Sequence, residues 1–408
     1  MMNANDLPSL LSTSDTDPHT FYDAMRERTP VLWDERMKGW LVLSYDLCKQ
    51  VLSDEGHFRH PYADADATMI EVKGGRRNVT VLQGAEHDRM HRYVVQLFKP
   101  ANIAVYTEHH IRPVTKFLID RFVQRGSAEL FSELALQLPC RAFMSLFGMD
   151  ALDDAFLHRV MRLHDDIMVW AGGRHFLGED ATQRALDASH QLNAILLPYV
   201  RSRRDNPTND LISRLWAEAP EVLADATEED VLATCRELYL AGSDTTVHAL
   251  SNAIYVLLTE RAVFERVSGD RGEALTSFIE EVMRVWGSVQ YRYRVANEDI
   301  ELGGMPVRKD QVIFTINAAA NRDPAHYSAC PAHVDLDRPA VRDHLAFNVG
   351  PRSCAGAQLA RAEMRLALNA LLDRLPDLRL DPAAEPPRFQ GMFTRSFRPL
   401  NVVFAPQR

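Results

Sequence analysis

The chain has 408 residues, 46% of them hydrophobic and 25% charged, and 46 basic against 56 acidic side chains leave a net charge of −10. That much apolar side chain builds a sizeable core, which excludes a mainly disordered protein. A net acidic chain without a long Lys/Arg block is a poor nucleic-acid binder, and no window reaches the ~18 uncharged apolar residues that begin to suggest a membrane span.

Residues 1–20 are polar, with Asp6, Pro8, Asp15 and Asp17, and lack the basic start and apolar run of a signal peptide. A cytoplasmic protein is expected. Helical spacing near Pro18–Arg28 precedes strand-like Val31–Trp33 and Gly39–Leu43, then a helix over Asp46–Leu52. His57–Gln83 reads as irregular, a candidate mobile loop. From Glu86 to about Trp216 apolar residues recur at helical spacing, and Asp210–Leu215 and Thr227–Thr259 continue the pattern. The last opens with Thr227 and Asp230, a loose capping box, and is long enough to cross a whole domain. Gly269–Val285 is another helix. Beyond Trp286 come short strands at Val289–Ala296, Ile300–Leu302, Pro306–Val307 and Gln311–Ile316. Helix returns over Gly356–Leu375, and Leu400–Phe404 alternates as a strand. A mainly α chain with a minor β region and no linker is expected to form one domain over residues 1–408.

Five cysteines occur, at Cys48, Cys140, Cys235, Cys330 and Cys354, without a C-x-x-C pair. An odd count fits reduced thiols rather than a disulfide framework, and no structural zinc site is indicated. Cys354 differs from the other four. It lies in Phe347-Asn348-Val349-Gly350-Pro351-Arg352-Ser353-Cys354-Ala355-Gly356, a tight turn opening a long helix. The helix start and nearby Arg352 favour a thiolate, which serves either as a nucleophile with His344 as base or as a soft metal ligand.

The segment resembles the haem-binding loop of cytochromes P450, with Phe347, Gly350, Arg352, Cys354 and Gly356 at the family positions. Asn348 stands where bacterial members usually carry glycine. The resemblance implies the P450 fold, a helical domain around a buried haem, with Cys354 as the proximal thiolate ligand of the iron. Arg352 would contact a haem propionate, and Phe347 would shield the sulfur. An anionic sulfur pushes electron density onto iron and favours O–O cleavage.

Further matches follow in family order. Glu281-Val282-Met283-Arg284 fits Glu-x-x-Arg, read as structural and as locking the core near Asp337-Arg338, and Asn321-Arg322-Asp323-Pro324 fits a frequent bacterial stretch. Ala241-Gly242-Ser243-Asp244-Thr245-Thr246 lies within the long helix. There the resemblance implies a locally opened turn beside the haem at Ala241, with Asp244 relaying protons and Thr245 hydrogen-bonding to bound dioxygen. Around His87 the family expects Arg four residues later, where this chain has His91, with Arg92 adjacent. His87, His91, Arg92, Arg294 and His344 are the remaining propionate candidates.

For substrate, family geometry points to Trp170, Phe176, Val289, Tyr291 and Phe393, each of which ordinary core packing explains equally well. Glu237 shares the helix face of Ala241 and Thr245, so it either forms a structural ion pair or recognises a polar substrate group. The activity implied is a haem b monooxygenase that inserts one atom of O2 into a small or medium organic substrate by hydroxylation, epoxidation or O-demethylation. With no room for a reductase domain before Arg408, electrons are expected from a ferredoxin or flavodoxin with an NAD(P)H-dependent reductase. Arg352, Arg361 and Arg365 would give that partner a basic docking patch. A peroxide-driven oxygenase and a haem-based gas sensor or carrier are the alternatives.

Overall fold

The computed structural model describes residues 9–406 apart from 14–15, 150–152, 224, 328, 341 and 376, so Asp6, Pro8 and Asp15 lie outside the described residues. The helix Glu228–Thr259 organises the rest. Thr227 Oγ1 accepts from the Asp230 N–H, and the Asp230 carboxylate accepts from the Thr227 N–H, so the expected capping box is closed. Glu228, Glu229 and Asp230 place negative charge on the positive end of the helix dipole. The helix is buried around most of its circumference, as a central helix must be. Gly242 is where it crosses the helix Gln137–Leu146, since a Cβ there would run into the Phe143 ring.

The helix runs without interruption through Ala241–Thr246, which corrects the expected opened turn. Ser243 Oγ donates to Tyr239 O at 2.6 Å and Thr245 Oγ1 to Ala241 O at 3.1 Å. Hydroxyls that would otherwise compete with the helix are thus folded back onto carbonyls one turn earlier.

A mixed five-stranded sheet stands at one side, in the order Val31–Asp34, Gly39–Val42, Val312–Thr315, Arg292–Ala296, Phe58–Arg59. Only the second and third strands run parallel. The tail forms a hairpin, Arg388–Gly391 with Arg395–Arg398, held by polar residues of the central helix. Ser251 Oγ donates to Phe397 O, Asn252 bonds both Arg395 O and Phe397 N, and His248 Nδ1 lies 2.8 Å from Ser396 Oγ.

The segment 57–83 is less irregular than its sequence suggests. It contains the helix Ala67–Lys73, capped by Asp66, whose carboxylate accepts from Met69 N at 2.7 Å. It is also tied down. Ser189 Oγ donates to Glu71 O, and the buried Arg236 guanidinium donates to Val72 O.

Glu281 and Arg284 form a fully buried pair, as the Glu-x-x-Arg reading expects. Asp337, by contrast, turns outward to Arg266, and it is Arg338 that joins Glu281. Glu363, on the helix Ala357–Arg374, is 1% exposed and neither carboxyl oxygen has a hydrogen-bond partner among the described residues. Burial pushes its pKa from 4.5 up to about 8. The folded state therefore binds this proton more tightly than the unfolded state, so the stability Glu363 contributes is full below pH 4.5 and is lost as pH rises through about 8. Glu363→Gln is expected to raise stability at pH 9 by several kcal/mol, at about 1.4 kcal/mol per pKa unit, and to leave pH 4 stability nearly unchanged. Urea midpoints of both proteins at the two pH values check this.

Candidate active site

The cysteine loop is shaped by its backbone. Gly350 has φ +72°, and a Cβ there would approach Ser53 Cα to 2.9 Å, so only glycine fits. Asn348 has φ +62° and ψ +175°, a region that glycine favours. Its side chain compensates by accepting from Val349 N at 2.9 Å and donating to Arg352 O at 2.8 Å. Cys354 N donates to Phe347 O at 2.8 Å, closing the loop under the helix start.

Cys354 sits deep in the fold yet remains accessible. Burial pushes its thiol up, opposed by the N–H groups of Gly356 and Ala357 and by the charges of Arg292 and Arg361. A thiol held neutral is a poor free nucleophile, whereas coordination to a metal cation deprotonates it outright. His344, the expected base or propionate contact, is turned elsewhere. Its Nε2 lies 3.2 Å from Glu280 Oε2 and its Nδ1 accepts from Ala346 N.

Arg361 binds the same Glu280 through two bonds and stacks over Phe347, 4.4 Å from the ring centroid. Arg365 donates to Thr276 Oγ1, and Arg352 to Glu55. The three arginines expected to form an open basic patch are thus engaged with neighbours, two of them neutralised by Glu280 and Glu55.

A concentration of basic side chains, two arginines and two histidines, lies beside the loop. Arg294 is 2% exposed, and its Nε and Nη2 have no hydrogen-bond partner among the described residues. Burial, then the nearby Arg352 charge, lowers its pKa to about 10. His60 is driven well below its ordinary value by burial and then by Arg352 and Arg294, and His87 is lowered by burial and Arg352. His60 was not singled out from the sequence, because nothing local distinguishes it. His87 stacks on His91 at 5.4 Å, and His91 Nε2 donates to Ser353 O at 2.8 Å, reaching the cysteine loop itself. Arg92 is exposed, one residue round the helix from that face, and does not join them.

On the central helix, Ala241 is exposed and Thr245 partly so, although Leu240, Ser243, Asp244 and Thr246 are buried. This accessible strip on an otherwise buried helix leaves open space beside Ala241 and Thr245. Asp244 turns away from it, 3.3 Å from His248 Nε2. Burial opposes its ionisation, but His248 and His164 outweigh burial and hold the carboxyl down to about 2.

Glu237 proves to be a structural ion pair. Its Oε2 lies 2.9 Å from Lys73 Nζ and accepts from Asn78 Nδ2 at 2.9 Å. Burial raises its pKa, but Lys73 and Asn78 outweigh burial and hold it below the ordinary value. The carboxylate is spent on fastening segment 57–83, so it offers no free charge to a substrate.

Trp170 and Tyr291 also leave the candidate pocket. Trp170 is 4% exposed and donates to Thr182 Oγ1, and Tyr291 is 1% exposed and donates to Gly172 O. Phe176, Val289 and Phe393 remain half-buried, Val289 being bridged to Thr394 beside Phe393. A separate surface cleft of about 590 Å³, lined by Glu273, Leu336, Arg338 and Asp343, contains none of the candidate site residues.

The cytochrome P450 family model matches residues 9–401. The chain belongs to the cytochrome P450 family. It is 31% identical to mycinamicin IV hydroxylase/epoxidase of Micromonospora griseorubida over 377 residues, 90% of each chain. It is 28% identical to the cytochrome P450 monooxygenase PikC of Streptomyces venezuelae, covering 92% of this chain and 88% of PikC. Among solved structures it is similar to CYP109E1 of Bacillus megaterium in complex with testosterone, with a TM-score of 0.83, 25% identity and coverage of 97% and 100%.

A P450 is a haem-thiolate monooxygenase that takes a substrate, O2 and electrons from redox partners, and these relatives give no support to a sensor or a peroxide-driven enzyme. The residues present fit the haem. A P450 needs an accessible cysteine within the fold and positive charge and hydrogen-bond donors for two propionates. Cys354 is accessible within the fold, and the unmet donors of Arg294 lie among Arg352, His60 and His87.

Proposed function

We propose that this P450 binds haem b through Cys354 and hydroxylates, epoxidises or O-demethylates a small or medium organic substrate. The observation that carries the residue assignment is the buried Arg294 guanidinium with two unsatisfied nitrogens, because a buried charge of this kind is costly unless an anion pairs with it. The two propionates of iron protoporphyrin IX supply such anions. Arg294, His60 and His87 would share them, Arg352 would join by turning from Glu55, and His91 would hold the loop by its bond to Ser353 O.

Bound there, haem supplies dioxygen binding and reductive O–O cleavage, with one oxygen atom passed to the substrate and the other released as water. The chain's own residues set the conditions. Arg292, Arg361 and the N–H groups of Gly356 and Ala357 temper the negative charge of the Cys354 sulfur. Thr245 presents its hydroxyl beside Ala241, and Asp244 lies one residue back on the same helix. That spacing lets the carboxylate pass protons toward the hydroxyl without itself facing the substrate. Phe176, Val289 and Phe393 give the substrate an apolar wall, and Glu237 is already paired, which favours a neutral substrate portion.

Electrons would come from a ferredoxin or flavodoxin served by an NAD(P)H-dependent reductase. The test supplies the holoenzyme with such a pair, NADPH, a panel of neutral organic substrates and ¹⁸O₂. One ¹⁸O atom in the product is expected. Product that carries no label, or forms only with added hydrogen peroxide, would overturn the reading.

A further inference from the structure

Asp244 does not lie alone. His164, on the helix Asp154–Gly173, reaches across to it together with Asp165, and one ligand atom of each of the three lies within 4.8 Å of the other two. The three differ sharply in exposure. The side chain of Asp165 is 70% exposed, that of His164 4% and that of Asp244 8%. They make a compact cluster that reaches from solvent to the buried acid of the central helix.

The hydrogen bonds fix which nitrogen of His164 works. Nε2 lies 2.9 Å from Leu240 O, and a carbonyl only accepts, so Nε2 carries hydrogen. In the neutral ring Nδ1 therefore bears the lone pair, and it lies 4.0 Å from Asp165 Oδ1. An Asp244 carboxylate oxygen lies within 4.8 Å of a ring nitrogen of His164, and Asp244 Oδ2 is buried without a hydrogen-bond partner among the described residues. An imidazole takes up and releases a proton near neutral pH, which a strongly acidic carboxyl does only at a cost.

We propose that Asp165 and His164 form the solvent end of a proton path whose inner end is Asp244 and Thr245. This rests on the acid–alcohol reading of the central helix. A proton from water passes by way of Asp165 to His164 Nδ1, making an imidazolium that keeps its Nε2–H on Leu240 O. Nδ1–H then passes its proton to Asp244 Oδ2, restoring the neutral ring. Asp244 gives it to the Thr245 oxygen as the Thr245 hydroxyl, turned from Ala241 O, releases its own proton into the open space beside it. Each bond broken is matched by one formed, and no electron moves. A water or a small closure spans the 4.0 Å step from Asp165 and the step of at most 4.8 Å to Asp244.

Other charged and titratable groups face this path: His248 and Tyr239 on the central helix, Cys140 on the helix Gln137–Leu146, and Arg398 on the tail hairpin. His248 is already committed, with Nε2 on Asp244 Oδ1 and Nδ1 on Ser396 Oγ, which places it behind the acid rather than between it and solvent.

His164→Gln tests the path, since the amide nitrogen replaces Nε2 and keeps the bond to Leu240 O while Nδ1 is lost. Asp165→Asn changes only the exposed end. Both are expected to divert electrons from product to hydrogen peroxide or water, and to lower the product-forming rate by an amount on the order of 10²-fold for His164→Gln. The solvent deuterium isotope effect should rise. Independently of turnover, ¹⁵N-histidine NMR of the reduced carbon monoxide complex should show His164 with Nε2 protonated and Nδ1 bare at high pH, and should show Nδ1 responding to Asp165→Asn.

Asp244→Asn and Thr245→Val separate the two layers. If these uncouple the enzyme while His164→Gln and Asp165→Asn do not, the acid–alcohol pair stands and this path is wrong. If none of the four uncouples it, the acid–alcohol reading falls and the path falls with it. An Nδ1–H tautomer for His164 would also overturn the path.

Discussion

With Cys354 replaced by serine, the reduced protein under carbon monoxide is expected to lose the Soret band near ~450 nm that marks thiolate ligation, and monooxygenase activity with it. The loop backbone should survive the change, because Cys354 contributes its N–H to Phe347 O and its carbonyl to Ala357 N through the main chain. Other loop contacts come from Asn348, Gly350, Arg352 and His91, none of them through the Cys354 side chain. A hydroxyl in place of the sulfur removes the anionic donor and leaves haem, if it binds, with a weaker and harder ligand. A band shifted to ~420 nm, or a haem-free protein with native circular dichroism, is the expected result. An unshifted 450 nm band in the variant would mean that another thiolate serves. Cys48, Cys140 and Cys235 are poor candidates for that role, since all three are buried and burial pushes their thiols well above the ordinary range.

The second large effect is expected at Arg284, and it falls on stability. All five donor hydrogens of its guanidinium are engaged. Nε and Nη2 bind Glu281 at 2.6 and 2.8 Å, Nη1 donates to Asn321 O and Pro331 O, and Nη2 also to His333 O. These three carbonyls belong to the segment that leads into the cysteine loop. Arg284→Leu leaves the Glu281 carboxylate, itself 0% exposed, with Arg338 and the Asp335 N–H alone. Breaking a buried pair from one side costs about 3–5 kcal/mol, far more than the pair adds over an apolar replacement. Denaturant unfolding followed by far-ultraviolet circular dichroism should show this loss. Arg284→Lys, which keeps the charge but not the fork, should fall between wild type and Arg284→Leu. A loss below about 1 kcal/mol for Arg284→Leu would mean that the pair behaves like an exposed salt bridge.

The parts of the site legible in the sequence were those whose chemistry is local. The spacing of Phe347, Gly350, Arg352, Cys354 and Gly356 specifies a turn, a ligand and a helix start within ten residues, and the structure builds that turn with Gly350 at φ +72°. The Thr227/Asp230 box and the long apolar run set one end and the extent of the central helix. Glu281 and Arg284, three residues apart on a helix, meet on one face without help from the rest of the fold.

Partners distant in sequence were not legible. His344 was a plausible propionate contact until the helix Glu273–Val285 placed Glu280 against it. Glu237 was a possible substrate contact until Lys73, 164 residues earlier, arrived beside it. The same packing turned Trp170 toward Thr182 and Tyr291 toward Gly172, and brought His60 beside Arg294. The helix Ala67–Lys73 was missed because its signal is one Asp cap on a short, weakly patterned stretch.

The sequence by itself determined the family, the thiolate loop and the helix that carries Asp244 and Thr245, because each depends on backbone geometry or periodicity within a few turns. Only the tertiary structure decided which charges are free and which are spent. A buried charge takes whatever counter-charge the packing of separate elements brings within about 4 Å, and no local pattern specifies that neighbour. Arg294 is left wanting an anion and Glu237 is not, and this difference is a property of the fold.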